Sequence, residues 1–151
     1  MNKILTFVVN KYTNKLLLLL GSPHDPQFNK SFWYTVTGGV EDGDKTLKDT
    51  AKREVKEETN LDVEDSIYLN WIFKYNSLGV ECTEYSHVSF VSTDDVVLNE
   101  ESIEYKWLDI DEYVNLIEWY GNKEELRKVL ECAINKEVYF KEETVEMYPC
   151  N

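Results

Sequence analysis

Apolar positions open the chain in two short runs, residues 3–9 (KILTFVV) and 15–20 (KLLLLL), parted by the polar segment Asn10–Asn14. This pattern predicts two strands joined as a hairpin. A continuous run such as Leu16–Leu20 suits a strand buried on both faces and is too short for an independent helix. Gly21 through Pro26 contains a glycine and two prolines and predicts a loop. Residues 32–37 (FWYTVT) read as a short aromatic strand leading into a glycine turn at Gly38-Gly39. The period then becomes helical as far as Glu58. Residues 67–75 alternate and predict a strand, 82–91 predict another, and Asn76–Gly79 supplies the turn between them. Asp94-Asp95 marks a turn, Asn99–Ser102 a loop, and Ile103–Asp109 a strand. A helix is expected from about Asp111 to Trp119, broken by Gly121-Asn122. Asn122 and Glu125 then form a capping-box-like start for a second helix to about Ile134, with Leu126, Val129, Leu130 and Ala133 as its apolar stripe. Lys136–Asn151 carries no clear period and is left open among an extra strand, a dimer contact and a loose tail.

Length and charge narrow the function classes. A chain of 151 residues is expected to form one domain with a buried core, residues 136–151 being an extension of unassigned structure. The formal net charge of −13 argues against non-specific nucleic-acid binding, which draws its affinity from basic side chains on phosphates. It argues equally against an anionic membrane surface. No apolar run approaches membrane-spanning length, and the one at the start is cut short by Asn10–Lys15. Cys82, Cys132 and Cys150 are odd in number and far apart, without a C-x-x-C pair, so reduced thiols in a cytoplasm are the expectation.

The segment that carries chemistry is residues 37–61, TGGVEDGDKTLKDTAKREVKEETNL. Glycines are followed by a helix bearing Glu54, Glu57 and Glu58. With Glu54 at zero, Glu57 falls near −60° and Glu58 near +40°, beside the stripe of Leu47, Ala51 and Val55 at roughly 20° to 100°. Lys48, Asp49, Lys52 and Lys56 occupy the opposite side. Solvated glutamates would instead lie opposite the apolar stripe, among the lysines. Like charges three and four residues apart repel by a few tenths of a kcal/mol per pair. A hard divalent cation takes oxygen ligands and shares them with phosphates, so the cluster points to a metal site. An acidic protein that handles phosphates also needs a mediating cation.

The same residues resemble the Nudix hydrolase signature G-x5-E-x7-R-E-U-x-E-E-x-G-U, where U is aliphatic. Arg53-Glu54-Val55-Lys56-Glu57-Glu58-Thr59 matches its second half without a gap, and Leu61 matches its last position. With Gly38 as the first glycine, Asp44 takes the first acidic position, able to pair with Arg53, and Lys45 is a one-residue insertion. Asn60 replaces the second glycine, where a left-handed backbone favours Asn after Gly. Phe32-Trp33-Tyr34-Thr35-Val36-Thr37-Gly38, Glu101 and Tyr105-Lys106-Trp107-Leu108-Asp109 are similar to the bacterial dATP and dihydroneopterin triphosphate pyrophosphohydrolase branch.

The resemblance implies an α/β/α sandwich around a mixed β-sheet, the Nudix fold. It implies that Glu54, Glu57 and Glu58, with a backbone carbonyl at Gly38, hold Mg2+ or Mn2+. Glu57, Glu101 and Arg53 become the catalytic candidates: Glu101 as general base or accessory ligand, Arg53 as the orienter of the carboxylates. Phe32, Trp33 and Gly39 become substrate-contacting positions, with core packing the competing reading for the two rings. The implied activity is metal-dependent cleavage of a nucleoside triphosphate, or a related diphosphate-linked nucleoside, by water attack at phosphorus. The expected partner is therefore a small nucleotide-type substrate, with neither nucleic acid nor membrane and with a homodimer left open. The alternatives are a catalytically weak nucleotide-binding module, for which Lys45 is the motive, and a structural acidic domain. His24 in the loop is a minor candidate ligand or base, and His87, mid-strand, is expected to be structural. Tyr68, Trp71, Phe73, Tyr75 and Tyr85 form a reserve from which base-stacking rings could come.

Overall fold

The structure, a computed structural model, describes residues 1–22 and 31–147. His24 and Cys150 lie outside the described residues. Eleven elements follow in order among the described residues: β1 (Asn2–Asn10), β2 (Leu16–Gly21), β3 (Trp33–Tyr34), β4 (Val36–Gly39), α1 (Leu47–Thr59), β5 (Asp65–Ser77), β6 (Val80–Val91), β7 (Ser102–Leu108), α2 (Ile110–Leu116), α3 (Lys123–Ile134) and β8 (Glu143–Met147).

The strands form one mixed sheet. β1 and β2 make the expected antiparallel hairpin, joined at Val9 and Leu16. Beyond that pair they part, and the segment from 33 to 39 enters between them: β3 pairs with β2, and β4 pairs with β1. The aromatic strand expected over 32–37 is thus split at Thr35, whose hydroxyl donates to the Thr6 carbonyl at 2.5 Å. Gly38 and Gly39 are a second correction. They are not a turn but the end of β4, in register with Ile4 and Lys3. The turn comes later, at Asp42-Gly43. On its other edge β1 runs parallel to β6, which pairs antiparallel with β5, and β8 runs parallel to β5. β7 closes the far side along β2. Of the three readings of the C-terminal stretch, the extra strand is the one found over Glu143–Met147.

Helices cover both faces, which gives the expected three layers. Alternation along β1 and β2 sends side chains to two separate cores, as expected for strands buried on both sides. Leu5, Phe7, Leu16 and Leu18 pack with Tyr113 of α2 and Leu126, Val129 and Leu130 of α3. Val8, Leu17 and Leu19 pack on the opposite face with Val55 of α1. Helix α1 starts at Thr46, which accepts from the Asp49 amide while Asp49 accepts from the Thr46 amide, a closed capping box. It ends at Asn60 with φ 63°, the left-handed conformation expected there. Helix α2 stops at Leu116, short of the expected Trp119, because the Glu118 amide donates to the Trp33 carbonyl of β3 and leaves the helix. No helix among the described residues is long and apolar enough to cross a membrane.

Candidate active site

Arg53 is the hub of the carboxylate face of α1. Its Nε donates to Asp44 Oδ1 at 3.0 Å and its Nη2 to Asp44 Oδ2 at 2.9 Å. Nη2 also donates to the Gly39 carbonyl at 2.8 Å, and Nη1 to Glu54 Oε1 at 2.9 Å and to both Glu57 oxygens at 3.2 Å. Asp44 is held well below the usual carboxylate range, first by the Arg53 guanidinium and then by the Glu41 amide. Asp44 also accepts from the Thr50 hydroxyl at 2.9 Å, so the loop is tied to the first turns of α1. The extra residue Lys45 lies between Asp44 and the cap at Thr46 and leaves the Asp44–Arg53 pair intact.

Gly38 explains why the sequence needs a glycine there. A Cβ on it would lie 2.1 Å from Glu54 Cδ and 2.3 Å from Glu54 Oε1. The Glu54 carboxylate therefore rests against bare backbone at the end of β4. Glu54 and Glu58 are only 9% and 8% exposed, whereas the Glu57 side chain is 51% exposed. Burial raises both buried carboxyls. Glu58 is pushed well up, with the charges of Glu101 and Glu54 adding to its desolvation, and its Oε2 is buried without a hydrogen-bond partner. Burial raises Glu54 less, because contacts to Glu58 and Arg53 favour its charge.

Glu101 reaches this cluster from a distant part of the chain. The segment before β7 lies over α1, fixed by the Val97 amide on the Thr59 carbonyl and by Val96 and Leu98 in the core around Val55. Glu101 itself is exposed; its amide donates to Asn99 Oδ1, and its charge acts on Glu58. The structure thus gathers Arg53, Glu54, Glu57, Glu58, Gly38 and Glu101 in one region.

The remaining candidates are placed differently. The carbonyl of Gly39 is taken by Arg53. Trp33 sits on β3 under the ammonium of Lys106, 5.2 Å from the ring centre, and packs on the core beneath α2. Phe32 lies 6.0 Å from the Tyr34 ring. His87 is buried in β6, where its Nδ1 is 3.0 Å from the Tyr85 carbonyl. One ring that sequence reasoning left out is Trp119. Released from α2, it stacks on Tyr34 at 6.1 Å and touches Phe7, Trp71 and Phe73. Its signal in the sequence was the Gly121-Asn122 break just beyond it.

The donor set suits a hard cation. Three glutamates crowd one helix face with a single arginine between them, and the buried Oε2 of Glu58 lacks any donor. Buried charge of this kind is costly unless paired, and carboxylate oxygens are the ligands that Mg2+ or Mn2+ takes. Among the described residues no three acidic, histidine or cysteine side chains are drawn into a ready-made cage. Arg53 holds Glu57 by its two oxygens.

Known proteins resemble this chain in sequence and fold. The NUDIX domain family model matches residues 3–130. Dihydroneopterin triphosphate diphosphatase of Haemophilus influenzae is 26% identical over 141 residues, covering 84% of this chain and 85% of the relative. The structure of the Escherichia coli dihydroneopterin triphosphate pyrophosphohydrolase superposes with a TM-score of 0.67 at 27% identity, covering 86% of this chain and 94% of the other. The NUDIX domain of Shewanella oneidensis NrtR, complexed with ADP ribose, superposes with a TM-score of 0.66 at 14% identity over 85% and 84% of the two chains, a likeness of fold alone.

Proposed function

The chain belongs to the Nudix hydrolase family, and from that premise we propose that it is a divalent-metal-dependent pyrophosphohydrolase of a nucleoside triphosphate or a closely related triphosphate. The observation that carries this reading is the buried pair of Glu54, laid against Gly38, and Glu58, with a donorless carboxylate oxygen and Glu101 within electrostatic reach. The relatives named as acting on dihydroneopterin triphosphate support a triphosphate substrate.

In this reading Glu54, Glu57 and Glu58, with the Gly38 carbonyl, hold Mg2+ or Mn2+, which when bound neutralises phosphate charge and acidifies water. Arg53 keeps Glu54 and Glu57 in place through the hydrogen bonds of one guanidinium. Glu101, exposed beside Glu58, takes a proton from the attacking water. The water oxygen bonds to phosphorus as the bridging P–O bond breaks, which releases a monophosphate and pyrophosphate. Trp33 and Phe32 stand at the β3 edge, where the organic part of the substrate would approach. The free thiols of Cys82 and Cys132 suit a reducing cytoplasm.

Phosphate release from a nucleotide panel, measured against added Mg2+ or Mn2+, tests the reading. Activity is expected only with the cation and is expected to vanish with excess chelator. Full turnover in chelator would sink it. The weaker-module alternative draws on Lys45 and on the hold of Arg53 on Glu57. It would show nucleotide binding without phosphate release.

A further inference from the structure

Opposite α1, on the sheet face covered by α2 and α3, a second carboxyl is buried that the proposed chemistry does not use. Glu84 of β6 is 6% exposed, and burial raises its pKa. The Tyr75 hydroxyl donates to its Oε2 at 2.8 Å, and the charge of Lys3 favours its ionised form. Its surroundings are aromatic and partly polar, with Tyr34, Phe73, Tyr75 and Trp119 on the same face. The charge of Glu84 reaches Tyr34, which stacks on Trp119. Two residues along the same strand face, Ser86 Oγ is buried without a partner, and so is Trp71 Nε1, beside Phe73 and Trp119. Buried polar atoms are nearly always satisfied, so a group of them on one face marks the place of a missing polar partner.

The register fixes where this group lies relative to the carboxylate site. Gly39, Lys3 and Glu84 lie on one row across β4, β1 and β6. Two strand spacings put Glu84 about 10 Å from Gly39, whose neighbour Gly38 meets Glu54 of α1 on the other face of the sheet. A nucleoside triphosphate spans such a distance between its ring and its phosphates. Lys3, Thr37, Gly39 and Tyr75 around Glu84 are half-buried, so the row opens to solvent.

We infer that Glu84 selects the ring of the substrate, accepting from the adjacent N–H and NH2 of a 2-amino-4-oxo edge, the edge shared by guanine and pterin. Tyr75 and Lys3 orient the carboxylate, and Trp119 with Tyr34 holds the ring face. Adenine offers this carboxylate an acceptor beside its donor and is disfavoured. Hypoxanthine keeps the N–H but lacks the amino group. This assignment deepens the pyrophosphohydrolase reading and rests on it for the position of the phosphates.

Ring binding can be measured apart from hydrolysis. Tryptophan fluorescence of the full chain is titrated with GMP, IMP, AMP and neopterin, with and without Mg2+, for the wild type, Glu84→Gln and Tyr75→Phe. The wild type is expected to bind GMP or neopterin about tenfold or more tighter than IMP and AMP, since an unmatched buried acceptor is costly. Glu84→Gln is expected to erase the gap between GMP and IMP, and Tyr75→Phe to narrow it. Whichever of GMP and neopterin binds tighter identifies the source of the edge. Equal wild-type binding of GMP, IMP and AMP would overturn the assignment even if Glu84→Gln fails to fold. So would a folded Glu84→Gln with the wild-type order. Ring discrimination through Glu84 in a chain that releases no phosphate would leave the assignment standing and overturn the hydrolase reading instead.

Discussion

A methyl group on Gly38 would overlap the Glu54 carboxyl, so this glycine is required by a close approach rather than by a turn. The carboxyl tip can move, so Gly38→Ala is expected to fold while displacing Glu54. The Mg2+ concentration for half-maximal activity should rise about tenfold or more, the usual scale for disturbing the support of a metal ligand. A metal titration of that variant checks it, and an unchanged requirement would detach Gly38 from the site. Glu57 is the exposed member of the cluster, so Glu57→Gln should keep the fold and lower turnover by about two orders of magnitude or more, by analogy with other electrostatic catalytic groups. Circular dichroism with steady-state kinetics reads both effects. Glu101 and Glu100 are both exposed loop acids, and Glu101 is the foremost charge acting on Glu58. Glu101→Gln should therefore cut turnover far more than Glu100→Gln. Equal small losses would return the search for the base to Glu54, Glu57 and Glu58.

At the scale of elements, α1 owes its boundaries to local chemistry. The Thr46–Asp49 box sets its start, and the left-handed Asn60 sets its end. Thr46→Ala is expected to cost about 1 kcal/mol, read as a lower urea midpoint, with kcat nearly unchanged because the glutamates lie two turns further on. A large loss of kcat at unchanged stability would show that the cap also positions the glutamates. The length of α2 has a different origin. Nothing in residues 117–119 forbids a helix; the Trp33 carbonyl of β3 captures the Glu118 amide and turns Trp119 into the aromatic cluster. Likewise, no local signal divides β3 from β4. The division comes from β1 and β2 parting to admit them.

For the molecule as a whole, acid should act through a buried histidine. Burial in β6 lowers the pKa of His87 to about 4, from 6.5. The unfolded chain therefore binds a proton there that the folded chain excludes. The corresponding stability is present above pH 6.5 and lost as pH falls towards 4, on the order of 2–3 kcal/mol. Denaturation of the wild type and of His87→Gln between pH 7.5 and 4 should give curves that converge on the acid side, and parallel curves would refute this. The sequence alone determined the hairpin, the strands of β5 and β6, helices α1 and α3, and the Arg53–Glu58 cluster with its Asp44 partner. Each of these is written in a short window, as an apolar period, a cap or a motif. Tertiary structure alone decided that Gly38 and Gly39 end a strand, that residues 143–147 add one beside β5, and that the charge of Glu101 falls on Glu58 while Glu84 is buried on the opposite face of the sheet. These depend on which strands become neighbours. That choice is made by pairing and burial between residues far apart in the chain, and no local period records it.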